Sequence, residues 1–310
     1  MPTREFAAAM SEAAAVVFGT WHYGRDAIRD AGSSLRHVFE IAGSHNHPDL
    51  NYPACFARGI TVGSCAPAFG PAVAEMALAL SLAAARLVTE GDADFRVNRE
   101  QWLHDGTVGA VSLYGKTVGF VGAGGLSRSL QNLREPFGVR LVAYDPWIDD
   151  ELLRRRGIEA VDLPALFTES DVVYVLAVPS ADNRGLVSRR LMSLLRPNAV
   201  LTVMSRAHLV DFEAMTDLVL EGRFRAAVDV FPSEPFDSSH RIRKARGAVL
   251  SAHRAGAIPE ALLEIGRMVV DDLEALLAGR QPVRMQYATP RMIRGLGIDT
   301  SHGSGAPIES

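Results

Sequence analysis

The stretch GKTVGFVGAGGLSRSLQNLREPFGVRLVAYD, Gly115 to Asp145, decides the fold. Its first apolar run, Thr117 to Val121, suits a strand buried on both faces of a parallel sheet. Gly122-Ala123-Gly124-Gly125-Leu126-Ser127 follows as a tight turn into a helix, and a second strand, Val139 to Tyr144, ends at Asp145, 23 positions beyond Gly122. Such a strand-to-helix turn offers backbone N–H groups and the positive end of a helix dipole to a pyrophosphate, and it wants residues without a Cβ. Gly122 and Gly124 hold the first two places of G-x-G-x-x-G, with Ser127 in the third, where a small side chain still lets helix and strand pack. Asp145 stands where a carboxylate hydrogen-bonds an adenosine ribose 2′-hydroxyl and repels a 2′-phosphate, which predicts NAD over NADP.

Outward from this stretch, strand and helix alternate along most of the chain. Short strands are expected at Val16 to Phe18, Leu35 to Ile41 and Ile60 to Val62, with helices over residues 3 to 15, Asp26 to Asp30 and Leu50 to Ala57. A wound sheet ordinarily opens on a strand, so this helix-first order leads us to expect a further strand ahead of the sequence. Ala66-Pro67-Ala68-Phe69-Gly70-Pro71 reads as a break and the first domain boundary. The segment Ala72 to Val88 is helical and apolar nearly all round, which calls for deep burial or a subunit contact and makes a homodimer the natural expectation. Further strands are expected at Asp171 to Val178, Ala199 to Met204, Phe224 to Val230 and Val249 to Ser251, with a helix from Phe212 to Glu221 among them. An amphipathic helix from Pro259 to Ala278 then returns the chain to the first domain, and the Gly-, Ser- and Pro-rich tail from Gly295 is expected to be mobile.

The 310 residues, 48% hydrophobic and 22% charged, are those of an ordinary globular protein of about two domains. A net charge of −4 argues against a nucleic-acid binder. The cluster Arg241, Arg243, Lys244 and Arg246 lacks interleaved aromatics and reads as a solvated loop. Cys55 and Cys65 lack metal-ligand spacing and read as buried thiols in a reducing cytoplasm. The N-terminus carries no secretory pattern, and no long charge-free apolar stretch predicts a membrane span.

Three polar residues follow late strands of the predicted nucleotide domain: Arg206, Glu234 and His253. Parallel strands converge at their C-terminal ends, so these residues can meet where the cofactor lies. Reduction of a 2-keto acid needs a cation for the carboxylate and carbonyl, and an acid for the developing alkoxide. Arg206 suits the first task, His253 the second, and Glu234 would orient the imidazole and favour its charged form. Another loop, Gly43-Ser44-His45-Asn46-His47-Pro48, follows an early strand. Ser44, His45 and Asn46 are candidate substrate contacts; a solvated turn and a metal site are the other readings, though no third metal ligand follows from the spacing.

With GKTVGFVGAGGLS, VAYDP, SDVVYVLAVP, LRPNAVLTVMSRAHLVD, GRFRAAVDVFPSEP and LSAHRAGAIPEA in this order, the chain resembles the D-isomer-specific 2-hydroxyacid dehydrogenase family over most of its length. The resemblance implies an α/β protein in which a Rossmann-type, doubly wound parallel sheet domain, residues 71–255, is inserted in a smaller flavodoxin-like α/β substrate domain, residues 1–70 and 256–310. It implies Arg206, Glu234 and His253 as the catalytic set and NAD contacts at Gly122, Gly124, Gly125, Leu126, Asp145, Pro179, Ser205 and Asp229, the last facing the nicotinamide amide. Formate-oxidising members have glutamine where Glu234 stands, so the glutamate favours a hydroxyacid. Ala207-His208 replaces a frequent Gly-Gly, and the loop Gly43 to His47 departs from the family form, which bears on the substrate. The expected function is NAD-linked interconversion of a 2-keto acid and a D-2-hydroxy acid in a closing interdomain cleft, without a metal. The alternatives are an NAD(H)-sensing, corepressor-like binding protein and oxidation of an unusual substrate such as phosphite.

Overall fold

The computed structural model describes residues 3–45, 47 and 49–296. The chain divides into two compact units: Met1–Phe69 with Ser180–Asp182 and Ile258–Ser310, and Gly70–Pro179 with Asn183–Ala257. In chain order the strands begin with β1 (Ala15–Phe18), β2 (His37–Glu40) and β3 (Thr61–Ser64). The next seven are β4 (Thr117–Val121), β5 (Arg140–Tyr144), β6 (Ile158–Ala160), β7 (Val172–Val175), β8 (Val200–Val203), β9 (Arg225–Val228) and β10 (Ala248–Leu250), and β11 (Gln286–Tyr287) closes the set.

In the second unit β4 to β10 form one sheet in the order β10-β9-β8-β7-β4-β5-β6, with every neighbouring pair parallel. Side chains of a strand alternate between faces, and here both faces are covered. Val173 and Val175 of β7 enter one core cluster with Val121, Leu201, Val203 and Val228, while Val172 and Tyr174 enter the opposite one with Val118, Phe120 and Val200. Both faces therefore demand apolar residues, which is why the central strands read as continuous apolar runs. The chain winds outward from β4 through β5 to β6, then returns to β7 on the other side of β4. This reversal opens the crevice at the C-terminal ends of β4 and β7 where ligands of such sheets bind.

The first unit has a smaller sheet, β1-β2-β3-β11, parallel except for the antiparallel edge pair β3 and β11. Val38 and Phe39 of β2, both at 0% exposure, face opposite sides, one toward Ile28, Leu50 and Tyr52, the other toward Cys65, Ile265 and Met268. Asp272 in the helix Pro259–Leu277 locks β11 in place: its carboxylate accepts from the backbone N–H groups of Val283, Arg284 and Met285 and from the Tyr287 hydroxyl.

The α/β class and the Rossmann-type parallel sheet stand as the sequence predicts. The run Ala66 to Pro71, expected to break the chain, instead forms the start of a helix, Ala66–Ala85. Pro67 sits in its first turn, where a missing N–H has no helical acceptor to disappoint, and Pro71 removes a single backbone bond farther in. The helix also ends before Val88: Leu87 turns left-handed at φ 58°, and Val88–Phe95 forms a second helix. By length and apolarity the 20-residue helix could cross a membrane, but Glu75 interrupts its apolar run and half of its apolar window is buried in the protein. Ala74, Ala77, Leu80 and Ala84 pack in the core of the second unit, so its apolarity serves burial. Strands β6 and β11, three and two residues long, escaped the sequence reading because so few residues set no periodicity. Residues 290–295 form a helix capped by the Thr289 side chain, and the tail from 297 onward lies outside the described residues.

Cys55 and Cys65 are free and fully buried. Burial, reinforced by the Glu40 carboxylate, pushes the Cys55 thiol up to about 12 and the Cys65 thiol up to about 11. In the basic cluster of residues 241–246, Arg241 reaches Glu213 at 3.1 Å and Asp217 at 2.9 Å, Arg246 bonds Asp94, and Arg243 donates to the backbone carbonyls of Phe236 and Asp237.

Candidate active site

The turn after β4 is built as its sequence requires. Gly122 has φ 94°, and a Cβ there would lie 2.5 Å from the backbone N and Cα of Ala177, in the loop after β7. Only glycine lets the two loops close at this spacing. Gly124 and Gly125 are exposed, and a Cβ on either would meet nothing within 4 Å. Their bare backbone therefore faces open space at the N-terminus of the helix Gly125–Arg134, an arrangement that fits the pyrophosphate of a dinucleotide. Ser127, in the place of the third glycine, is fully buried, and its hydroxyl donates to the Gly124 carbonyl at 2.8 Å. The departure is accommodated because the buried hydroxyl is satisfied. Leu126 is half-buried beside it.

Asp145 follows β5 and turns back onto this turn. Its Oδ2 accepts from the Ala123 N–H at 2.8 Å and its Oδ1 from the Trp147 N–H at 2.9 Å, each oxygen keeping further acceptor capacity. Arg156, which the sequence reading did not single out, donates from Nη1 to the Ala123 carbonyl at 3.2 Å. Its signal in the sequence is faint, the last of three consecutive arginines before Gly157. Ser205, after β8, donates to the Val175 carbonyl at the end of β7 at 3.3 Å, and Pro179 is half-buried in the β7 loop.

Arg206, Glu234 and His253 all belong to the second unit. His253 Nδ1 and Glu234 Oε2 are 2.6 Å apart, with side-chain exposures of 42% and 28%. Glu234 is fixed in turn, its Oε1 accepting from the Phe231 N–H at 3.1 Å. His253 adopts φ 50°, a left-handed conformation that costs a non-glycine residue free energy and persists only where its surroundings enforce it. The enforcing contacts are its own N–H to the Asp229 carbonyl at 2.7 Å and the two Asp229 carboxylate oxygens, which accept from the N–H groups of Arg254 at 3.0 Å and Ala255 at 3.2 Å. Asp229, at 1% exposure, thus braces the loop that carries His253. With the Nδ1 proton donated to Glu234, Nε2 is the ring atom left to exchange a proton.

Arg206 has an extended backbone, and its Nη1 donates to the Ser205 carbonyl at 2.8 Å. Desolvation lowers its pKa from the ordinary arginine value, and Glu234 acts in the opposite direction, so guanidinium and carboxylate are electrostatic neighbours. The group stays a cation throughout.

The loop after β2 is a different construction. His45, at 1% exposure, bonds through Nδ1 to Glu40, and Glu40 also accepts from the Tyr52 hydroxyl at 2.5 Å. Glu40 and Tyr52 are both at 0% exposure, and neither was singled out in the sequence. Ser44 is half-buried, and Asn46 lies outside the described residues. His47 is half-buried with its ring edge-on to Phe18 at 4.9 Å, and desolvation lowers its pKa against the pull of Glu40. Among the described residues no group of three or more His, Cys, Asp or Glu side chains is arranged to hold a metal.

The fold and site define a class. The chain belongs to the D-isomer specific 2-hydroxyacid dehydrogenase family, whose NAD binding domain matches residues 78–255. D-3-phosphoglycerate dehydrogenase of Synechocystis sp. is 29% identical over 273 residues, 87% of this chain and 48% of that protein. Glyoxylate reductase of Aeropyrum pernix is 30% identical over 255 residues, covering 80% of this chain and 75% of that one. A solved phosphoglycerate oxidoreductase from Rhizobium etli superposes with a TM-score of 0.80 at 30% identity, over 91% of this chain and 86% of its own. The chain spans about half the length of the phosphoglycerate dehydrogenases it matches.

Proposed function

We propose that this chain is an NAD-dependent oxidoreductase that interconverts a 2-keto acid and a D-2-hydroxy acid. The observation that carries the reading is the 2.6 Å pair of His253 and Glu234, held on an enforced left-handed backbone with Arg206 as the neighbouring cation. The bound dinucleotide supplies the hydride in reduction and accepts it in oxidation. It would lie on Gly122, Gly124, Gly125 and Leu126, with Asp145 at the adenosine ribose and Pro179, Ser205 and Asp229 along the strand ends toward the nicotinamide.

Arg206 has donors to spare after its bond to the Ser205 carbonyl, and a planar fork of this kind grips a carboxylate and polarises the adjacent carbonyl. As hydride reaches the carbonyl carbon, the C=O π pair moves to oxygen, and the proton held at His253 Nε2 moves to that oxygen to give the hydroxyl. Glu234 keeps the ring in place and balances the imidazolium before transfer. In the oxidative direction His253 removes the hydroxyl proton while hydride departs. Ser44, His45 and Asn46 remain our candidates for shaping the substrate loop.

The test is oxidation of NADH by the purified chain against glyoxylate, hydroxypyruvate, pyruvate and branched or aromatic 2-keto acids. Turnover with at least one, yielding the D-hydroxy acid, is the expected result. Confirmed NADH binding with no turnover across the panel would overturn the reaction while leaving the cofactor.

We also propose a homodimer built through the region of the helix Ala66–Ala85 and the segment after it. Trp102, Leu103 and Val108 are exposed at 69%, 84% and 78%, apolar surface of the kind that associating faces bury. Sedimentation should give a dimer for the wild type and a monomer for Trp102→Glu. The two unpaired thiols suit a reducing compartment such as the cytoplasm.

A further inference from the structure

The backbone of Ala123 is held from both sides by opposite charges. Its N–H donates to Asp145 Oδ2 at 2.8 Å, and its carbonyl accepts from Arg156 Nη1 at 3.2 Å. Carboxylate and guanidinium are thereby anchored on the same residue of the glycine turn. Arg156 is fixed at its own backbone as well: its N–H donates to the Leu153 carbonyl at 2.9 Å, and its carbonyl accepts from Gln131 Nε2 at 2.6 Å. Its pKa is lowered by desolvation first and by Arg128 next, with Asp145 acting the other way, so the Arg156 guanidinium lies within electrostatic reach of this aspartate. The acid that would repel a 2′-phosphate thus has one guanidinium, that of Arg156, anchored on the same residue of the turn.

An acid at this strand end selects the free ribose 2′-hydroxyl, whereas a nearby arginine accommodates a 2′-phosphate. This chain has both. We propose that Arg156 sets the discrimination between NAD and NADP, lending the cation that lets a 2′-phosphorylated dinucleotide bind where Asp145 alone would exclude it. The chain then prefers NAD(H) by a narrow margin and also accepts NADP(H). This inference rests on the dinucleotide reading of the glycine turn and deepens it.

Arg156 could alternatively serve only to brace the turn through the Ala123 carbonyl, and two substitutions separate the roles. Gln at 156 removes the charge and, two bonds shorter, the reach to that carbonyl, so loss of a brace weakens both nucleotides alike and loss of the cation weakens NADPH alone, while Lys retains the charge at nearly the full reach. NADH and NADPH are titrated into the full chain and binding is followed by nucleotide fluorescence. We expect wild-type affinities within about tenfold of each other, a further loss of about tenfold for NADPH in Arg156→Gln with NADH nearly unchanged, and retention of NADPH binding in Arg156→Lys. Parallel loss of both nucleotides in Arg156→Gln, or an unchanged ratio between them, would overturn the proposal. Should Arg156→Gln not fold, the salt dependence of the wild type decides: rising ionic strength must weaken NADPH more than NADH, and equal weakening refutes the role. A wild type that binds neither nucleotide removes the cofactor reading itself, a result distinct from tight NADH binding with NADPH excluded, which removes only the role of Arg156.

Discussion

Each unit of this molecule holds a histidine joined through Nδ1 to a glutamate, and the two pairs differ most in their access to water. His253 and Glu234 in the second unit keep 42% and 28% of their side-chain surface, while His45 and Glu40 in the first keep 1% and 0%. The same chemical pair therefore has two physical meanings. An accessible imidazole can exchange its Nε2 proton with a ligand, and its carboxylate serves to aim it. A sealed pair, completed here by the Tyr52 hydroxyl, joins buried polar groups and so fixes the loop, with His45 Nε2 left without a partner among the described residues. Activity should be sensitive to the first pair and folding to the second.

The sharpest way to break this contrast is His253→Ala. Turnover should fall by roughly 10²- to 10⁴-fold with NADH affinity and melting temperature nearly unchanged, as expected for loss of a positioned acid–base. A variant that loses stability instead would place this pair with the sealed one. Glu40→Ala is the counterpart: with the Tyr52 O–H and His45 Nδ1 losing their acceptor in the interior, denaturant titration should register roughly 3 kcal/mol of destabilisation. If Glu40→Ala folds as well as the wild type but cannot turn over substrate, the sealed pair is functional after all. Gly122→Ala falls between them, because its new Cβ meets the Ala177 backbone and must accept φ 94°; a loss of about 2 kcal/mol together with NADH binding is expected by calorimetry.

The smallest effect concerns acid. Burial pushes the Asp272 carboxyl up, but the N–H groups of Met285, Arg284 and Val283 and the Tyr287 hydroxyl outweigh it and hold the pKa below the usual carboxylate value. With the folded value below the unfolded one, this contribution is complete above about pH 4 and is lost as pH falls through the folded value. The first unit of Asp272→Asn should accordingly melt earlier than wild type at neutral pH, and the difference should shrink in acid. A difference that grows on acidification would contradict this bracket.

The contrast between the pairs also explains what could be read from sequence. The turn from Gly122 to Ser127 was legible because its geometry constrains residue type directly: a left-handed glycine against Ala177, bare glycines at a helix start, and an acid at the next strand end. Arg206, Glu234 and His253 were legible as a set because each follows an apolar strand of one parallel sheet. Glu40, Tyr52 and Arg156 were not, since nothing local marks a glutamate at the end of a short strand as buried or an arginine before a glycine as a partner of Ala123. The misread break at Ala66 to Pro71 has a similar origin. Two prolines and a glycine weigh against a helix locally, yet packing farther along it stabilises the whole, and one lost backbone bond costs little beside that.

The two cysteines give the molecule a built-in clock. Both sit in the first unit at 0% exposure with thiols held far from ionisation, and the second unit contains none. A thiol-reactive dye can label this protein only when the first unit opens, so the labelling rate of the untouched wild type times the breathing of that half alone, and its change on adding NADH would report how far nucleotide binding is felt there.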